Sequence, residues 1–270
     1  MGLFDKLRRM ATGADKQSQE QQLPLPSESK IIDREPRDSD AFEATFDRRH
    51  QFWSTVGAVE NDVLTYLISP SFTGGPAWPT TRQAFRVVRR SNSLILATDG
   101  LSDPFDDVSG GGSGYEMELF VETADIAQEF AGPTGDVSHF SKTWAFELLN
   151  HVAGSVANAG GIVHQLNRYG VLSMEIPDFG NSETLSQLPS GFVTADNAVG
   201  ILIGEPKPDF PTLIEDMPLS PVHIVPIILI KAAELEFLRA GGAEARKTLS
   251  SRLAESATRH QSSATRASLV

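Results

Sequence analysis

No cysteine occurs among the 270 residues, so disulfides, thiolate metal sites and cysteine nucleophiles are excluded. Long apolar runs are missing as well. The longest, 224–230, is interrupted by Pro226 and falls far short of the roughly 20 residues a membrane-spanning helix needs. The first ten residues carry charges inside their apolar pattern and no small-residue cleavage site, unlike a secretory signal. Gly2 suggests myristoylation, but Lys6 stands where that motif needs Ser or Thr. The expected compartment is the cytoplasm, with no integral membrane association. Positive charge is scarce: 23 Lys and Arg against 35 Asp and Glu give a net charge of −12. Residues 41–242 concentrate the deficit, with 11 basic against 25 acidic residues. Such a body repels phosphate backbones, so nucleic acid is not an expected partner. It speeds encounter with a basic protein, although solubility alone also accounts for it.

Several catalytic signatures are absent. The six histidines never pair at i, i+4 and no HExxH occurs, so zinc chemistry has no support. The Gly110-Gly111-Gly112-Ser113-Gly114 run is followed by Tyr115-Glu116-Met117-Glu118. It lacks the Lys-Ser/Thr and the helix of a phosphate-binding loop, and Tyr115 stands where a nucleophile elbow needs glycine. Asp99, Asp103, Asp106 and Asp107 place four carboxylates within nine residues. Oxygen ligands of this kind suit calcium or magnesium. The spacing fits no EF-hand, and Asp99-Gly100 has a simpler reading as a turn in which glycine supplies a positive φ. Arg86, Arg89 and Arg90 form the basic knot of this acidic body. On a strand Arg86 and Arg90 share one face and Arg89 takes the other, and salt bridging is the simpler reading.

Organisation follows from composition and period. Residues 1–40, rich in Gln, Ser, Asp and Glu with three prolines, form an expected disordered leader. Its start sets Leu3, Phe4, Leu7 and Met10 beside Lys6, Arg8 and Arg9 as a short amphipathic segment. The folded region is expected over 41–254. Phe42, Phe46, Trp53 and Val56 predict a helix over 41–60. Strands are predicted at 62–69, 85–90, 94–98, 115–122, 162–165, 171–175, 198–203 and 223–230, with 85–98 forming a hairpin. Apolar and acidic residues alternate over 115–122, the pattern of a half-buried strand. Over 223–230 the run is nearly all apolar, as in a strand buried on both faces, and Pro226 suggests a bulge or an edge. A helix over 143–158 ends at Gly160-Gly161. Two short helices, 232–239 and 243–254, flank Gly241-Gly242, and a flexible tail is expected over 255–270. Irregular interleaving of strands and helices favours an α+β class, a mixed, largely antiparallel sheet packed with helices, over a doubly wound parallel fold.

Four pieces of the chain carry a resemblance. They are Thr98-Asp99-Gly100-Leu101-Ser102-Asp103-Pro104; Gly112-Ser113-Gly114-Tyr115-Glu116-Met117-Glu118-Leu119; Trp144-Ala145-Phe146-Glu147-Leu148-Leu149; and Leu202-Ile203-Gly204-Glu205-Pro206, continued by 222–229 and Ala233-Glu234-Leu235. Their order, spread over most of 94–250, resembles the amino-terminal lobe of the Suppressor of fused family. The resemblance implies a single lobe of that type and a non-catalytic, cofactor-free protein-binding domain. Around Ser155 and Asn167 the chain departs from the family's peptide-contacting Tyr and Asp. Stand-alone bacterial relatives are thought to include immunity proteins that neutralise toxins, so the implied partner is another protein, a basic toxin domain among the choices, bound by occlusion. Expected partner-contact residues are Asp99, Asp103, Asp106, Asp107, Asn167 and Tyr169, with exposed strand edges. Two other readings remain open: a metal-dependent hydrolase using the Asp99–Asp107 carboxylates, and a membrane-peripheral adaptor using Leu3, Phe4 and Leu7.

Overall fold

The computed structural model describes residues 36–106, 111–127, 132, 135–178, 183–206 and 209–270. The apolar start of the leader, most of the leader itself, Asp107 and Gly110 lie outside these residues. Eight strands form one mixed, mostly antiparallel sheet in the order β1-β2-β3-β4-β8-β6-β5, with the short β7 beside β8. The elements, in chain order, are α1 (Pro36–Val56), β1 (Ala58–Thr65), β2 (Ala84–Arg89), β3 (Leu94–Thr98), β4 (Met117–Thr123), α2 (Trp144–Asn158), α3 (Val163–Tyr169), β5 (Leu172–Ile176), β6 (Val199–Ile203), β7 (Leu213–Ile214), β8 (Val222–Ile230) and α4 (Ala232–Glu255). The class is α+β, as the irregular alternation of elements predicts.

Each face of the sheet is covered. Leu94 and Leu96 of β3, Met117, Leu119 and Val121 of β4 and Val225, Ile227 and Leu229 of β8 pack against α2 through Trp144, Leu148, Leu149 and Val152. The opposite face carries α1 at one side, where Trp53 and Phe52 meet Phe120, Phe210 and Ile224. There α4 covers the other side, seating Leu235, Leu238, Leu249 and Leu253 on Leu202, Ile228 and Ile230. β8 is therefore buried on both faces, as its apolar run predicts.

Pro226 sits at neither a bulge nor an edge. β8 pairs in parallel with β4 up to Pro226 and antiparallel with β6 from Ile227 onward. The Pro226 carbonyl accepts from Gly204 N at 2.9 Å. Its imino nitrogen faces the same side, in the gap between β7 and β6, where no ladder bond is lost.

Four other expectations change. Strand β1 covers 58–65 rather than 62–69, so 66–69 leave the sheet. Residues 163–169 form α3 and not a strand. All seven residues of β4 are buried, so its acidic positions Glu118 and Glu122 lie inside the protein. Finally, the segment after α4 is packed, not loose. Ser262 is fully buried and lies between β4 and β8 where the two strands part, its N–H on Glu122 O (2.8 Å) and its Oγ accepting from Leu229 N (2.9 Å). The expected Gly241-Gly242 break is present as a kink within α4, with Gly242 at φ 56°.

Candidate protein-interaction face

The carboxylates that the sequence brings to notice divide into an internal set and an exposed one. Asp99 and Asp103 are fully buried. Arg49, projecting from α1 and itself without exposed surface, donates from Nε to Asp99 Oδ1 (3.0 Å), from Nη2 to Asp103 Oδ1 (2.5 Å) and from Nη1 to Ser102 Oγ (2.9 Å). Arg82 and Arg86 donate to Asp99 Oδ2 at 2.7 and 2.9 Å. Glu118 of β4 closes the turn, accepting from Gly100 N (3.1 Å), Ser102 N (3.0 Å), Ser102 Oγ (2.6 Å) and Thr98 Oγ1 (2.5 Å). The knot ties α1, the 99–103 turn and three strands together.

Burial by itself raises the Asp99 carboxyl, but three guanidiniums outweigh it and hold that group well below its usual value. Burial pushes the Asp103 and Glu118 carboxyls up, against the pull of Arg49. The sign for Asp99 follows: its contribution to stability is present above the ordinary value of 3.8 and is lost as pH falls from there toward the folded value. We therefore expect the stability gap between wild type and Asp99→Asn to be widest near neutral pH and to narrow below about pH 4. Urea unfolding at a series of pH values checks this, and a gap that widens in acid contradicts it.

This geometry leaves Asp99 and Asp103 facing arginines rather than a partner or a cation. Among the described residues, no group of three or more His, Asp or Glu is placed to hold a metal ion. The glycine of the turn also differs from expectation. Gly100 is not among the residues with positive φ. A Cβ there would come within 3.0 Å of Arg82 O and 3.1 Å of the Trp78 ring, so close packing is what requires glycine. Gly114, at φ 51°, is the position that needs left-handed backbone.

The exposed set lies elsewhere. Asp106, Asn167 and Tyr169 are at the surface, and the topology brings them to one end of the sheet. β1 and β3 finish at that end, as does β6, while β2, β4, β5 and β8 begin there. The intervening loops are joined to one another. Tyr115 Oη donates to Ala77 O (3.0 Å), the Phe105 and Tyr115 rings meet edge to face at 5.5 Å, and Ser113 bonds Ser220.

Among the described residues eight large apolar side chains are exposed, and seven of them lie at this end: Tyr66, Leu67, Ile68, Phe72, Tyr169, Leu213 and Leu219. Ile68 and Phe72 keep 68% and 72% of their surface, and Leu67 keeps all of it. Scattered single apolar residues are ordinary on a protein surface, but a group confined to one end marks an interaction site. The same end carries Asp106, Glu116, Glu205 and Glu215, none of which has an ion-pair partner among the described residues.

Two clefts open among these loops. One, of about 290 Å³, lies in the gap between β7 and β6 and is lined by Asn167, Glu205, Thr212 and His223. The other, also about 290 Å³, lies between the 66–78 loop and α2, lined by Tyr66, Pro70, Pro76, Trp78, Asn150 and Ser155. Sequence reasoning missed the apolar loop. The signal that could have found it is the absence of charge from 63–81, nineteen consecutive residues in a chain that is 21% charged.

Comparison with known proteins gives the fold its relatives. No family model matches the chain, and no curated protein matches it. Among solved structures, a chain of the Sufu-Fu complex crystal structure matches with a TM-score of 0.52 at 15% identity, over 84% of this chain and 91% of that one. The crystal structure of Drosophila Suppressor of Fused matches with a TM-score of 0.46 at 16% identity, over 73% of this chain and 43% of that one. The chain has a Suppressor of fused-like fold, as a single lobe.

Proposed function

We propose that this protein is a non-catalytic binding domain of the Suppressor of fused type, which covers part of another protein with the loop end of its sheet. The observation that carries the reading is the confinement to that end of seven of the eight large apolar side chains exposed among the described residues. The fold likeness to a chain of the Sufu-Fu complex supports it. Interfaces join an apolar centre to a polar rim. Here Leu67, Ile68 and Phe72 provide the centre, and Asp106, Glu116 and Glu205 a mainly acidic rim, with Arg168 beside Tyr169 as an exposed cation on it. The chain's net charge of −12 selects for a basic partner and speeds the encounter. Occlusion of a basic toxin domain by an immunity protein is the specific role these features fit best.

Substituting Leu67→Asp and Phe72→Ser together is expected to weaken partner capture by tenfold or more, about 1.4 kcal/mol per decade. Stability should stay within about 0.5 kcal/mol per site, because both side chains are already in water. Affinity capture with the wild type and the double variant, alongside thermal melts, checks this. Undiminished capture by a folded double variant would refute the assignment of the face.

A further inference from the structure

The cleft between the 66–78 loop and α2 has features that neither the fold nor the exposed face requires. Tyr66, Pro70, Pro76 and Trp78 give one wall rings and flat apolar surface, while Asn150 and Ser155 of α2 give the other polar atoms. Tyr66 Oη is held by Asn150 Oδ1 at 2.8 Å, which fixes the mouth. Burial pushes the His151 imidazole, another liner, below its usual value, against the pull of Glu147. The loop itself carries no charge from 63 to 81. At about 290 Å³ the cleft stands at the lower bound of ligand pockets, ~300 Å³, and it suits one large planar side chain packed against rings and prolines.

We propose that this cleft receives an aromatic side chain of the partner, presented on a segment whose flanking residues are lysine and arginine. The inference rests on the protein-binding reading above and adds the chemistry of what is bound. Charge complementarity selects the occupant. Four carboxylates without an ion-pair partner among the described residues, Asp106, Glu116, Glu205 and Glu215, share this end of the sheet with the cleft. Arg82, the nearest cation in sequence to the loop, is bound to Asp99, and Arg168, an exposed cation at this end, lies over the Tyr169 ring and is outnumbered by the carboxylates. A second copy of this chain brings another net charge of −12, which opposes self-association. An anionic lipid surface is repelled in the same way.

The test uses labelled peptides of about ten residues with a central Trp, flanked in one by Lys and Arg and in another by Glu, plus a basic peptide with Ala for Trp. The basic Trp peptide is expected to bind wild type at low salt and to weaken as salt rises. Both other peptides should bind at least about tenfold more weakly, one decade being 1.4 kcal/mol. The Ser155→Trp variant, which fills the cleft from the helix side, should lose at least the same factor while melting as wild type does. Tyr66→Ala, which removes one ring from the cleft wall, serves as the second variant should Ser155→Trp not fold.

Equal binding of the basic and acidic peptides overturns the proposal, as does unchanged binding by folded Ser155→Trp, or no binding of the basic Trp peptide at millimolar concentration. A dimer of the free chain that Phe72→Ser dissociates, or sedimentation with phosphatidylserine vesicles, assigns the face to another occupant and overturns it too. If the peptides fail while hydrogen exchange on a captured partner complex still protects 66–72, the cleft assignment falls and the protein-binding reading stands. Capture of no partner at all removes the reading itself.

Discussion

Replacing Arg49 with methionine is expected to lower stability by about 3–5 kcal/mol, the usual consequence of deleting one member of a buried ion pair. In a domain of this size that corresponds to a fall in melting temperature on the order of 10 °C. The reason is the position of Arg49. It has no exposed surface, and it reaches Asp99, Asp103 and Ser102 with three separate donors. Without it Asp103 loses its closest cation, and Glu118, 3.6 Å from Arg49 Nη1, loses the guanidinium that compensates its burial. Asp99 keeps Arg82 and Arg86. Adding Asp103→Asn to Arg49→Met should recover part of the loss, because an amide costs less to bury than an unpaired carboxylate. Thermal and urea unfolding of the two variants measures both effects. A single variant as stable as wild type, or a double variant weaker than the sum of its parts, contradicts the account of the knot.

Deleting 256–270 is expected to have a larger effect, removing most of the domain's stability. The segment enters the structure at three carboxyl groups, of which Glu122 and Glu234 are buried and Asp125 is half-buried. His260 and Gln261 donate to Glu122 at 2.8 and 3.0 Å. The Ala264 N–H binds Asp125. Arg266, in contact through both terminal nitrogens at 2.5 Å, neutralises the fully buried Glu234, to which Leu269 N also donates at 2.9 Å. Ser262 occupies the parting of β4 and β8. Total stabilities of domains are about 5–15 kcal/mol, so loss of one buried pair and a strand-like filler consumes a large share. Circular dichroism and hydrogen exchange of the truncated chain measure the outcome. A truncated chain that melts within a few degrees of wild type shows the segment to be dispensable.

These two cases also show where the sequence stops being readable. Local patterns placed most elements correctly: the β2–β3 hairpin, α2 with its glycine terminator, β8 and the kink in α4 each rest on neighbours within a few residues. The placing of Arg86 and of Arg90, just past the end of β2, on one face and Arg89 on the other was legible too. Arg86 and Arg90 reach Asp99 and Glu122, whereas Arg89 pairs with Glu60.

What escaped depends on partners far along the chain. Asp99 and Asp103 read as exposed ligands because Arg49 lies some fifty residues upstream. The 255–270 segment reads as loose because nothing in its Ser, Thr and Arg composition announces Glu122 or Glu234, more than thirty residues away at the least. The start of β1 was hidden by Glu60, a charged residue at a buried position, and by the irregular register between Val59 and Val63, which breaks the period of two. That slip assigned 66–69 to a strand and thereby concealed the exposed loop on which the proposed interface centres.

Hydrogen–deuterium exchange on the complex of this protein with its captured partner tests the central claim most directly, because it locates contact without presupposing the partner's identity. The account predicts added protection at 66–72, around Tyr169 and at 213–219, and none along the outer surface of α4. Protection confined to α4, or absent from 66–72, would contradict it.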